Sequence, residues 1–179
     1  TLADTVDGAQ ALTLNTTGNT TLGGAVGTGT NLTSLITNAT GTTAINGGAV
    51  TTTAAQTYND AVTLGADATL TGTDLTFAGT VNGGQALTLN GSGTTTLGGA
   101  VGGTTNLTSV TTDATGSTAI DGGAVTTTAA QTYNEPVTLG AATTLTGTDL
   151  TFANTVDGAK DLTLDFSNAT AFNGNVGSG

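Results

Sequence analysis

The sequence predicts an all-β chain wound as a parallel β-helix, a β-solenoid, and three observations carry that expectation. The first is a repeat. Val6, Val81 and Val156 open the matching stretches TVDGAQALTLN, TVNGGQALTLN and TVDGAKDLTLD, and Thr5–Gly79 overlays Thr80–Asn154 without a gap, identical at 58 of 75 positions. Long repeats kept in register mark stacked arrays whose units cannot bury a core alone. The second is composition: threonine supplies about a quarter of the chain, and β-branched and glycine residues are poor helix formers. The third is alternation. Short runs of apolar residue and threonine, bounded by Gly, Asn and Asp, have the period of two that belongs to strands.

The whole of 1–179 reads as one continuous solenoid segment. Its units are 5–79, 80–154 and a partial 155–179, with 1–4 as the tail of a preceding repeat. Neither end shows the polar cap that solenoids use for solubility, so the chain reads as a window on a longer array. So strict a register predicts that each residue faces its counterpart in the next unit.

In the first unit the strand-like segments are Ala11–Asn15, Thr20–Leu22, Asn31–Thr33, Thr43–Asn46, Ala49–Thr52, Gln56–Tyr58, Ala61–Leu64, Thr69–Thr71 and Asp74–Ala78. In LTL, VTL and LTF the apolar residues point one way and the threonines the other. Gly23-Gly24, Gly47-Gly48, Gly98-Gly99 and Gly122-Gly123 are expected at corners that need a positive φ. Valines follow turns at Val6, Val26, Val50, Val62 and Val81, in steps of 20, 24, 12 and 19 residues. Steps of about 20 suit one turn of a three-sided β-helix. Joining the steps of 24 and 12 into two coils makes each unit about four coils, with three longer coils as the alternative.

An immunoglobulin-like sandwich is the competing all-β architecture. It needs a bulky core, often with a buried Trp. This chain has no Trp and only 3% aromatic residues, an inventory that suits a narrow coil.

Composition also removes whole classes of function. With one basic residue against twelve acidic ones, and a formal net charge of −11, the chain cannot neutralise phosphates, which excludes nucleic acid and anionic membranes as partners. The absence of Cys and His removes disulfides, thiolate metal sites and the commonest metal ligand. No apolar run is long enough for a transmembrane helix, and no secretory leader opens the chain, so no membrane insertion is expected. Charged residues are only 7% and hydrophobic ones 36% in regular alternation, which argues against an acidic disordered segment.

The run GTTTLGGAVG–TNLTS–TTDATG–TAIDGGAVTTTAAQTYNEPVTLGAATTLTGTDLTFA resembles the β-strand repeats of very large bacterial exoproteins, of the filamentous-haemagglutinin-like and autotransporter-like adhesin type. The resemblance covers essentially the whole chain. It implies a right-handed parallel β-helix, export from a Gram-negative cell to the cell surface or medium, and a role as stalk, fibre or adhesive surface. It brings no catalytic residues with it.

The carboxylates are the first candidates for chemistry, since some β-helices cleave polysaccharides. Asp7 becomes Asn82 and returns as Asp157; Asn46 becomes Asp121, Asn38 becomes Asp113, and Asp67 becomes Ala142. A catalytic acid cannot exchange with Asn and keep its proton chemistry, whereas an Asx-turn residue can. Asp74 and Asp149 stay fixed as Asp, and a turn role explains them. No calcium-binding nonapeptide or EF-hand loop is present. Lys160, between Asp157 and Asp161, reads as a surface ion pair of little energetic weight. Tyr58, Tyr133, Phe77 and Phe152 recur in register and are expected as rungs of an interior or corner stack.

The expected function is therefore a non-catalytic stalk or fibre segment of a secreted or surface-exposed bacterial adhesin. No catalytic, cofactor-binding or metal-binding residues and no cofactor are expected. Its partners would be flanking repeats of the same or like chains. The alternative is a glycan-processing or ligand-binding (glycan, ice) β-helix, for which Lys160, Asp161 and Asp165, the residues that break the repeat, are the weak support. An ice-binding face needs threonines in regular rows, whereas the threonine runs here are interrupted by Gly-rich corners and do not recur at one fixed coil spacing.

Overall fold

Alternation along the chain sorts its side chains into a lining and a coat, and the winding follows from there. The computed structural model describes residues 1–177, which contain strands, bridges, turns and bends and no helix. The first unit contributes β1 (Ala11–Leu14), β2 (Asn19–Leu22), β3 (Ser34–Thr37), β4 (Thr42–Ile45), β5 (Ala49–Thr51), β6 (Gln56–Tyr58), β7 (Ala61–Leu64), β8 (Ala68–Gly72) and β9 (Leu75–Phe77). Sequence neighbours never pair. Each strand pairs in parallel with strands about one turn away, as β1 does with β3 and β3 with β6. The chain is a β-solenoid of about eight turns.

One expected segment is displaced. At Asn31–Thr33 only Leu32 makes a bridge, to Thr52. The strand that follows it is β3, hidden in the sequence because Leu35 and Ile36 are adjacent apolar residues that spoil the alternation. Leu35 is fully buried and Ile36 is 40% exposed, so one of the pair points each way.

The coil has three faces, met in chain order. The first carries Val6, Val26 and Val50 and continues from β5 and β8 as a seven-stranded sheet. The second is an eight-stranded sheet that includes β1, β3, β6 and β9. The third begins with β2, β4 and β7, and the bridges Val81–Val101 and Val101–Val125 carry it into the second unit. Inward residues from all three faces form one core, in which Val50, Val81, Val101, Val125 and Leu145 are fully buried. Burying each such side chain contributes about 1.5–3 kcal/mol.

Turn length is uneven. Val62 pairs with Val81, nineteen residues on, while Val26 pairs with Val50, twenty-four residues on. The corners absorb the difference. Extra residues at 28–31, for example, stay on the outside, while the flanking strands keep their rungs.

The repeat does not stack on itself, which corrects the expectation drawn from its register. Val6 to Val26 is one turn and Val26 to Val50 another. Val50 to Val62 is only two faces, since Val50 belongs to the first face and Val62 to the third. Val62 to Val81 completes the last turn. The twelve-residue step is thus a phase slip, and one unit winds three turns and two-thirds rather than four. Val6 lies on the first face, Val81 on the third, and Val156, paired with Val137, on the second.

Glycine pairs serve the corners mainly through lack of bulk. Gly48 and Gly123 have φ of 73° and 72°, but their neighbours Gly47 and Gly122 do not lie at positive φ. A Cβ on Gly47 would sit 2.1 Å from the carbonyl carbon of Gly24 in the turn below. Corner backbones there approach too closely for any side chain.

Candidate functional site

The acids that the sequence assigns to turns sit at corners and bind backbone. Asp7 Oδ1 accepts the N–H groups of Gly29 and Thr30 at 2.8 and 3.2 Å. Its counterpart Asn82 accepts those of Thr104 and Thr105 at 2.9 and 3.2 Å. A side-chain oxygen does the work in both cases, which explains why Asp and Asn exchange. Asp67 Oδ1 accepts from the N–H of Ala86 at 2.9 Å.

Asp74 and Asp149 hold the turn that follows them. Asp74 Oδ1 accepts the N–H of Thr94 at 2.8 Å and Asp149 Oδ1 that of Ala169 at 3.2 Å. The Thr148 hydroxyl, the Ala169 N–H and the Asn168 amide together hold the Asp149 carboxyl below its usual range. These contacts favour the ionised form and give the group a scaffold role.

The recurring aromatics line the interior. Tyr58 stacks on Phe77 with ring centroids 5.1 Å apart, and Tyr133, Phe152 and Phe172 form a longer stack at 5.1 and 5.2 Å. Each tyrosine hydroxyl donates to a buried glutamine Oε1, Tyr58 to Gln56 at 2.9 Å and Tyr133 to Gln131 at 3.1 Å. Gln131 Nε2 in turn donates to the carbonyls of Val125 and Thr146. Burial raises both phenol pKa values, so neither tyrosine ionises in the folded coil. A satisfied polar network of this kind specifies which side chains meet.

A pair of buried acids was missed in the sequence. Asp60 is 3% exposed, and its Oδ1 accepts from Thr37 Oγ1 at 2.8 Å and from Thr43 Oγ1 at 3.0 Å, with Thr43 also within 3.0 Å of Oδ2. Its counterpart Glu135 is 1% exposed and accepts from Thr118 Oγ1 at 2.5 Å. Asp60 and Glu135 form an aligned position that remains acidic while changing length. That signal was available in the sequence, but the alternation of short strands around it gave no sign of an inward carboxylate.

Threonines form a row that their uneven spacing in the sequence argues against. Thr69, Thr88, Thr111, Thr132 and Thr151 pair in succession on the first face. Corner loops take up the differences in turn length, so the five lie on consecutive rungs about 4.8 Å apart. On the second face the corresponding row, Thr57, Thr76 and Thr96, is bounded by Ile36 and Ala119.

The remaining candidates stay apart. Lys160 and Asp161 are exposed in the third unit, and Asp165 is exposed on its strand Leu162–Phe166. A cavity at the first rung, lined by residues that include Leu2, Leu14, Asn15, Asn19 and Thr20, contains no acid or base. Among the described residues no three His, Cys, Asp or Glu side chains gather as a metal site would require. The chain matches no family model, no curated protein and no solved structure.

Proposed function

We propose that this chain is a structural rod, a stalk or fibre segment of a secreted or surface-exposed bacterial adhesin, without catalysis of its own. The observation that carries the reading is continuity across the unit boundary. Val62 pairs with Val81 and Val137 with Val156, so units join through the same ladders that run within them. Added units then lengthen the rod without adding a hinge, which is what a spacer requires. The acidic corners and the scarcity of cations suit a soluble extracellular surface. The partners on this reading are flanking units of the same or like chains.

Small-angle scattering on chains of two, three and four units tests it. Length should rise by about 18 Å per unit at constant cross-section, from three and two-thirds rungs at the strand spacing. A length that grows as separate flexible beads would refute the rod, and cleavage of a polysaccharide by the purified chain would refute the absence of catalysis.

The five-rung threonine row favours a second reading, a face that binds a regular lattice such as ice or a crystalline glycan. Thermal hysteresis that is abolished by Thr111→Leu would support it. No hysteresis, and no retention on insoluble glycan, would leave the rod alone.

A further inference from the structure

The second unit departs from the first at one buried corner. Where the first has Asn38 and Asp60, the second has Asp113 and Glu135. In the first, both oxygens of Asp60 accept from threonine hydroxyls. Asn38 uses both ends of its amide: Oδ1 accepts the Thr16 N–H at 3.1 Å and Nδ2 donates to Thr40 Oγ1 at 2.7 Å. That corner is fully satisfied.

The second corner is not. Thr118 engages Oε1 of Glu135, and Oε2 is buried with no partner; Oδ1 of Asp113 is likewise buried with none. A third such atom, Thr95 Oγ1, lies one rung below Thr118. The segments that carry the two acids are tied together. Asn134, beside Glu135, donates its side-chain N–H to the carbonyl of Thr112 at 2.7 Å and its backbone N–H to Thr112 Oγ1 at 3.2 Å, and Thr112 precedes Asp113. Two ionised carboxylates in such a place would each carry an unsatisfied oxygen and would repel each other. A proton supplies the missing donor.

We propose that Glu135 keeps its proton in the folded coil and that loss of this proton loosens its corner, giving the rod a pH-sensitive joint in its second unit. The Asn38–Asp60 corner has an amide in place of the second carboxyl and leaves neither oxygen of its acid without a partner. The electrostatics agree with the geometry: burial pushes the Glu135 pKa up to about 7, the Thr118 hydroxyl opposes this, the Asp113 charge adds to it, and the Thr112 hydroxyl opposes it again. Asp113 is the charged group whose field reaches Glu135; Thr112 and Thr118 contribute neutral hydroxyls, and the Tyr133 phenol is turned to Gln131. A hard cation would need about six to eight oxygen ligands, and among the described residues only three buried side-chain oxygens lack a partner.

The sign follows from linkage. Glu135 binds its proton more tightly folded than unfolded, so its contribution to stability is full below the unfolded carboxyl range and is lost as pH rises through about 7. The experiment is thermal melting of the full chain between pH 5 and 9, with carbon-13 NMR of the Glu135 side-chain carboxyl. The midpoint should fall as pH rises from 5 and level off above about 7, where the carboxyl should titrate. Glu135→Gln should flatten that fall, and Asp113→Asn should move it to lower pH. If Glu135→Gln fails to fold, the double variant Asp113→Asn with Glu135→Asp rebuilds the first corner and should remove the dependence. Parallel profiles for all variants, or a carboxyl that titrates in the ordinary glutamate range, would overturn the proposal. Calcium that raises the midpoint and displaces the carboxyl titration would overturn it in favour of a cation.

Discussion

Val6 and Val81 occupy the same place in consecutive units, yet they lie on different faces of the coil, Val6 bridged to Val26 on the first and Val81 paired with Val62 on the third. Each unit therefore shows the same residues one face short of a full turn, one face back in the order of winding. Tyr58 stacks on the second face and Tyr133 on the first. An alignment slipped by one whole unit would bring each strand to the wrong side of the triangle, which guards a nearly identical pair of units against mispairing. Any feature borne once per unit is displayed around the rod in turn.

Val101 lies fully buried between Val81 and Val125. Val101→Asp places an unpaired charge in the stacked interior and is expected to destabilise the chain by several kcal/mol. Chemical denaturation reads this directly; a variant that melts with the parent would mean that the inside and outside of the third face are reversed.

Glycines at corners should divide by space. Gly47→Ala brings a Cβ to 2.1 Å from backbone of the turn below, while a Cβ on Gly84 meets nothing within 4 Å. The first should lose a few kcal/mol through forced backbone separation, and the second should change stability by less than about 1 kcal/mol in either direction. Denaturant midpoints of the two variants, compared with the parent, decide it.

Asp7→Asn should be nearly neutral, because Asn82 already makes the same two contacts. Asp7→Ala strips the acceptor from two backbone N–H groups and should cost about 1 kcal/mol. Equal losses for the two variants would show that charge, rather than the oxygen, matters at this corner.

Thr111 and Thr132 pair across adjacent rungs. Cysteines placed at both positions should form a disulfide on mild oxidation, since neighbouring strands bring Cα atoms within the permitted span. Cysteines at Thr13 and Thr88, equivalent by repeat but lying on the second and first faces, should stay reduced. Mass spectrometry under non-reducing conditions separates the two outcomes.

The alternation of LTL, VTL and LTF, the corner residues and the interior aromatics are local properties, and the sequence by itself determined them: which residues point inward, that the strands are short, and that Asp and Asn at turns are interchangeable. It also determined the class of fold, because a strict repeat with small inward residues leaves few other ways to bury a core. The inward carboxylates of Asp60 and Glu135 escaped notice because their threonine partners lie about twenty residues away in sequence, one turn distant in space. Only the tertiary structure decided the phase of the winding. Turns of nineteen and of twenty-four residues both close, since corner loops hold the surplus outside the hydrogen-bonded rungs. The face on which a strand lands is therefore set by which carbonyls and amides meet across turns, a relation between distant residues that no local pattern records.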